Sequence, residues 1–173
     1  MVLASAGDYM TQEALHAVKL CKELVPEMKV RYVNISELTG LCMGDYCSSA
    51  HACLDQTAVD KYFTADRPVV INYHGYTNDM EQILWPFVNP KRFSIHGYQE
   101  RGSTTTPFDL KVTNEVDFYH LSMDMITRAA KHNKAVAKKK DAIIKMLKQK
   151  IVDHQKYIRE VGDDPKEVKT FRW

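Results

Sequence analysis

The first 33 residues constrain the fold more than any other stretch of the chain. Val2 to Ala6 is short and apolar and ends at Gly7-Asp8, the pattern of a buried strand emptying into a turn. Thr11 is placed to cap the helix that follows, with Gln12 and Glu13 in a first turn where negative charge meets unpaired backbone donors. Ala14, Leu15, Val18, Cys21, Leu24 and Val25 form its inward stripe, and Pro26 closes it. Met28 to Val33 then alternates and is rich in β-formers. A strand, a helix and a strand in so short a span make a βαβ unit, which buries a parallel sheet under helices. The expectation is an α/β protein with a mostly parallel sheet between two helical layers, a three-layer α/β/α arrangement.

The rest of the chain extends that pattern. Residues 55–63 read as weakly helical. Arg67-Pro68 introduces Val69 to Tyr73, the strongest central strand, which ends in His74-Gly75-Tyr76. A short helix starts at Asn78 or Asp79, runs through Leu84 and stops at Pro86. Phe93 to His96 is a further short strand. Asn114 and Asp117 have the spacing of a capping box for a helix reaching about Ala130, with Phe118, Leu121, Met125, Ile126 and Ala129 inward. A basic amphipathic helix follows at about 134–159, with Val136, Ile143, Leu147, Ile151, His154 and Ile158 along one side. Gly162 to Pro165 ends it, and Phe171-Arg172-Trp173 reads as a docked aromatic tail at 171–173. At 19.9 kDa and 45% apolar, residues 1–173 suit one domain with a substantial core, and disorder is excluded.

Charge and motifs narrow the function. The formal net charge of +2 excludes a polyanion-seeking whole molecule. Between positions 131 and 160, ten Lys or Arg face three Asp or Glu, but no aromatic-basic platform accompanies them. A solvated face, or one turned to acidic groups of a partner, is expected there rather than a nucleic-acid surface. No run of 18 apolar residues occurs, so no membrane span is expected. The opening residues read as a strand rather than a secretory signal, which makes the expected compartment cytoplasmic. Cys42, Cys47, His51 and Cys53 are spaced C-x4-C-x3-H-x-C. Without a C-x2-C knuckle they read as a cysteine-rich surface loop before a zinc site or a site of reversible thiol oxidation, and a chain of this size needs no disulfide staple.

There is no G-x-G-x-x-G after the first strand, no phosphate-binding loop and no nucleophile elbow. The remaining candidates are His74 and Tyr76 at the end of the central strand, His96 at the end of the next, and the hydroxyl run Ser103, Thr104, Thr105 and Thr106 with Asp109 beyond it. Carboxyl ends of parallel strands are where open α/β sheets hold ligands or interfaces. Four hydroxyls before Pro107 can cradle an anion or tie down a turn. These eight residues are candidate anion or interface contacts. No set of catalytic, cofactor-binding or metal-binding residues emerges.

Several segments carry a resemblance. Phe63 to Val70, Tyr73-His74-Gly75-Tyr76 and His96 to Asp109 are similar to the C-terminal domain of phosphoketolases, thiamine-diphosphate enzymes related to transketolase. Leu3 to Asp8, Asn114 to Leu121, Asp124, His154, Tyr157 to Glu160, Gly162 to Asp164 and the last tryptophan continue the likeness. The resemblance implies a transketolase C-terminal-like fold. It also implies a non-catalytic module of a longer lyase of carbohydrate metabolism, packed on N-terminal and middle domains and a second subunit in a homo-oligomer. The parent enzyme cleaves xylulose 5-phosphate or fructose 6-phosphate with phosphate, giving acetyl phosphate and an aldose phosphate. Its thiamine diphosphate and magnesium belong to the other domains, so this chain is expected to hold no cofactor and to be inactive alone. The alternative is a stand-alone regulatory or interaction protein binding a phosphate-bearing small molecule. Two departures bear on phosphate: Thr77 to Pro86 is acidic where the family is basic, and His96 stands where the family usually has arginine.

Overall fold

A computed structural model describes residues 1–41, 53–100 and 102–169. Their order is β1 (Val2–Ala6), α1 (Asp8–Leu24), β2 (Arg31–Asn34), α2 (Gln56–Phe63), β3 (Val69–Tyr73), α3 (Thr77–Leu84), β4 (Phe93–Gly97), α4 (Pro107–Thr113), α5 (Phe118–Ala130), α6 (Lys134–Val161) and α7 (Lys166–Lys169). The described strands form one sheet in the order β2-β1-β3-β4, and every pairing is parallel.

Alternation along the central strands divides the core in two. Leu3 and Val70 face α1, α4, α5 and α6, where Val18, Cys21, Phe108, Phe118, Leu121 and Ile126 are buried. Val2, Ala4, Val69 and Ile71 face the other way, onto Val59 and Phe63 of α2 and Met80 and Leu84 of α3. Because both faces are covered, β1 and β3 are apolar on both sides, as buried parallel strands are. This is the three-layer α/β/α arrangement that the βαβ unit and the resemblance imply.

Local details differ from the expectation in three places. Helix α1 begins at Asp8, four residues before the expected start at Gln12. Gly7, at φ 106°, makes the turn that Thr11 was expected to cap, and Thr11 Oγ1 instead lies 3.0 Å from Ser5 Oγ. Helix α5 is capped by Asp117, which accepts from the Tyr119 and His120 amides. Asn114 ends α4 instead, and Glu115 between them is left-handed at φ 57°, which breaks any continuous helix from Asn114. Helix α4 itself falls in a stretch for which no element was expected, just past the hydroxyl run; Thr106 caps it and Pro107 supplies its first turn.

Helix α6 covers the expected basic segment and ends at Gly162, a left-handed cap. Cys21 is buried and free, but Cys53 is disulfide-bonded, which corrects the reading that no disulfide is needed. Cys42, Cys47, His51 and the tail at 171–173 lie outside the described residues.

Candidate functional site

The carboxyl ends of β1, β3 and β4 converge closely. A Cβ on Gly7 would meet His74 Cβ at 2.6 Å, and one on Gly97 would meet the Gly75 carbonyl oxygen at 2.6 Å, so no larger residue fits these turns without displacing backbone. The His74 amide donates to the Ala6 carbonyl at 3.0 Å and carries the β1–β3 ladder past the end of the strand. Its exposed ring meets Tyr9 and Tyr98 edge-on, at centroid distances of 6.3 and 5.4 Å. Tyr76 is 55% exposed at the start of α3, which has no side-chain cap.

Beside this rim lies a cleft of about 650 Å³. It runs along Ser94 to Gly97 of β4 and is closed by Thr113 to Glu115 and by His120, Met123 and Asp124 of α5. His96 holds its two walls together. Its Nδ1 lies 2.7 Å from the Glu115 carbonyl, and because a carbonyl only accepts, Nδ1 carries a proton. Its Nε2 lies 3.1 Å from Asp124 Oδ2, whose partner oxygen accepts from Arg128 Nε at 2.7 Å. Burial pushes the Asp124 carboxyl up. Hydrogen bonds from His96 and Ser94, with the charges of Arg128 and His96, outweigh that and hold it down at about 2.

Two turns earlier, Asp117 caps α5 and pairs with His120 Nδ1. Burial lowers the His120 value, but the Asp117 bond and the Asp117 and Glu115 charges win and raise it. Asn72, buried in central β3, positions this corner: its Nδ2 donates to the Val116 carbonyl at 3.0 Å and to the Met10 carbonyl at 3.1 Å. With both ring nitrogens engaged, His96 acts as a tie between β4, the turn before α5, and α5 itself. It has no nitrogen left to activate a nucleophile.

The hydroxyl run lies elsewhere. Thr105 Oγ1 donates to Asp109 Oδ2 at 2.8 Å, and Thr106 Oγ1 accepts from the Asp109 amide at 3.4 Å, so both serve the start of α4. Ser103 and Thr104 are exposed. The other Asp109 oxygen is buried with no partner among the described residues. Asp164, buried with His154, accepts from the Phe108 amide at 2.9 Å and from His154 Nε2 at 2.9 Å, which ties the end of α6 to α4. Of the eight candidates, only His96 lines the cleft; His74 and Tyr76 stand on the rim, and Ser103, Thr104, Thr105, Thr106 and Asp109 are not among the lining residues.

Sequence reasoning passed over Glu115, Asp117, His120 and Asp124 as site residues. The i, i+3 spacing of Asp117 with His120 and the i, i+4 spacing of Asp124 with Arg128 are the local signals that point to two of these pairs.

Among the described residues, the candidate contacts do not fit thiamine diphosphate or magnesium. Among the described residues, no group of three or more His, Cys, Asp and Glu can hold a metal ion. The threonines best suited to a phosphate are turned onto their own helix. No described helix is long and apolar enough to cross a membrane.

A family model described as the XFP C-terminal domain matches residues 1–173. The chain is 37% identical over 172 residues to probable phosphoketolase 2 of Rhizobium meliloti (strain 1021), covering 99% of this chain and 21% of that protein. It is 39% identical over 174 residues to probable phosphoketolase of Rhodopseudomonas palustris (strain TIE-1), covering 100% of this chain and 21% of that protein. It is 36% identical over 174 residues to probable phosphoketolase of Nitrosospira multiformis, with the same coverage. The chain thus spans about a fifth of the length of the curated relatives it matches.

Proposed function

The chain belongs to the XFP C-terminal domain family, and from that premise we propose that its 173 residues act as one non-catalytic module of a phosphoketolase-type enzyme. The match to the family model over residues 1–173 carries this reading, together with relatives named as probable phosphoketolases that are about five times as long. In the whole enzyme, xylulose 5-phosphate or fructose 6-phosphate is cleaved with phosphate to acetyl phosphate and an aldose phosphate. Thiamine diphosphate and magnesium are held by the N-terminal and middle domains there. When bound, that cofactor supplies the carbanion and the electron sink.

This chain packs on those domains and on a second subunit in the cytoplasm. The exposed His74 and Tyr76 are interface contacts. The closely packed strand ends beneath them and the His96 tie beside them keep that surface rigid. A phosphate-bearing ligand at Ser103 to Thr106 is less well supported, since Thr105 and Thr106 already bond within α4.

The test is calorimetric titration of the isolated chain with thiamine diphosphate and magnesium, paired with an assay for acetyl phosphate from xylulose 5-phosphate and phosphate. Silence in both is expected. Stoichiometric cofactor binding with acetyl phosphate formation overturns the reading.

A further inference from the structure

We propose that the outer edge of β4 receives an extended segment of the same phosphoketolase polypeptide, from outside these 173 residues, as an added strand lying between β4 and α5; this rests on the module reading above. Strand β4 ends the sheet, with β3 on one side and no described strand on the other. The Tyr98 amide donates to the Tyr73 carbonyl, so the even-numbered backbone groups of β4 face β3 and the odd-numbered groups face away. The Phe93 amide is taken by the Pro90 carbonyl. The N–H and C=O groups of Ile95 and Gly97 are then aimed off the sheet, without a partner among the described residues.

The cleft lies along this same edge. Four consecutive β4 residues, Ser94 to Gly97, line it. Side chains of a strand alternate between faces, so a surface touched by four in a row is the backbone edge. Here Ser94 and His96 turn to Asp124, while Phe93 and Ile95 pack on the opposite core. The far wall is α5, with His120, Met123 and Asp124. An edge strand facing a helix across a groove is the geometry in which a peptide adds by main-chain hydrogen bonds, its alternate side chains meeting the helix.

Nothing in Phe93-Ser94-Ile95-His96-Gly97 protects such an edge: it holds no lysine, no proline and no bulge. His96 fixes the groove from within by tying β4 to both of its walls. The occupant follows from length. The relatives carry about four-fifths of their chain outside the matched region, and a segment tethered in the same polypeptide is present at high effective concentration.

The experiment is amide hydrogen exchange on two proteins. One is the isolated chain, and the other is the full-length Rhizobium meliloti relative with its matching fifth replaced by this chain. The Ile95 and Gly97 amides should exchange freely in the isolated chain and about 100-fold more slowly in the full polypeptide. Ile95→Pro removes an outward N–H that an edge strand can lose without unfolding. In the full polypeptide it should abolish Gly97 protection, while Ile95→Val keeps it and the isolated variants melt within a few degrees of the parent. If amides on α6 or the rim become protected but Ile95 and Gly97 do not, the edge proposal falls and the module reading stands. If no amide of the chain changes, both fall.

Discussion

The two ends of the sheet are built from different chemistry. At the amino end, Arg31 Nη1 donates to the Lys61 and Tyr62 carbonyls at 2.8 and 3.3 Å. Arg92 Nη1 donates to the Phe63 and Arg67 carbonyls at 3.0 Å each. These guanidinium groups satisfy the last three carbonyls of α2, which a helix end leaves without intrahelical partners, and the Arg67 carbonyl ahead of β3. At the carboxyl end, the side chains bind one another in charged pairs: Asp124 with His96 and Arg128, and Asp117 with His120. One end uses charge to finish backbone; the other does so too, at Asp117 and His96, but also pairs charged side chains along a cleft. A charged residue in this fold therefore signals a site only where its partner is another side chain beside open space.

The comparison breaks most readily at Arg92, which is 8% exposed. Arg92→Met leaves the Phe63 and Arg67 carbonyls without their donor and removes the cation stacked 4.5 Å over the Phe93 ring. Its Nε and Nη2 are buried without partners among the described residues, so the substitution also relieves some desolvation. We expect a net loss of about 3 kcal/mol, read as a fall in Tm of roughly 6–12 °C. An unchanged Tm would mean that the buried charge cancels the carbonyl bonds, and that the amino end is not held by arginine. Arg31→Met, at an exposed position, should cost well under about 1 kcal/mol.

At the other end, Asp117→Ala removes an N-cap with two amide bonds and strands His120. A loss of about 2 kcal/mol is expected in urea unfolding. Asp117→Asn should recover part of it by keeping the cap without the charge. If Asn and Ala cost the same, the His120 pair outweighs the cap.

What was legible in the sequence, and what was not, follows the same divide. Periodicity exposes β1, α1, β3 and α6, because each buries a regular stripe against the sheet or a neighbouring helix. The start of α1 was displaced because Gly7 makes its turn through backbone freedom that no side-chain cap advertises. Helix α4 was hidden behind a run of hydroxyls, since its start depends on the Thr106 cap, on Pro107 and on Asp164, 56 residues away from Phe108. The His96–Asp124 contact joins residues 28 apart, and the Arg92 bonds span 29 and 25, so neither has a local pattern. The strand-end position of His74 and His96 was readable; which of them entered a cleft was decided by the left-handed turn at Glu115.

The smallest expected effect sharpens the comparison through pH. Guanidinium groups do not titrate in the range a protein survives, so the arginines at the amino end should be indifferent to pH. The Met1 amine there, lowered by burial and then by the Arg67 and Arg31 charges, should only weaken stability as the pH falls below 8.0. The carboxyl end should respond on both sides. Asp124 is held below its unfolded value of 3.8, so its contribution is complete above that pH and is lost as the pH falls toward about 2. His120 is held above its unfolded value of 6.5, so its contribution is complete below 6.5 and is lost as the pH rises through the folded value. His16, half-buried and stacked 3.7 Å from Phe118, adds a background slope: burial first, then the Lys19 and Lys111 charges, lowers it to about 4, so stability falls as the pH drops from 6.5 toward 4. Each contribution is small after allowance for solvent screening. Urea midpoints measured from pH 3 to 9 should therefore lose their alkaline slope in His120→Gln, their slope between 6.5 and 4 in His16→Phe, and their steepest acid limb in Asp124→Asn. If Arg92→Met alters any of these slopes, the two ends are coupled through β4, and the division between a structural end and a titratable end does not hold.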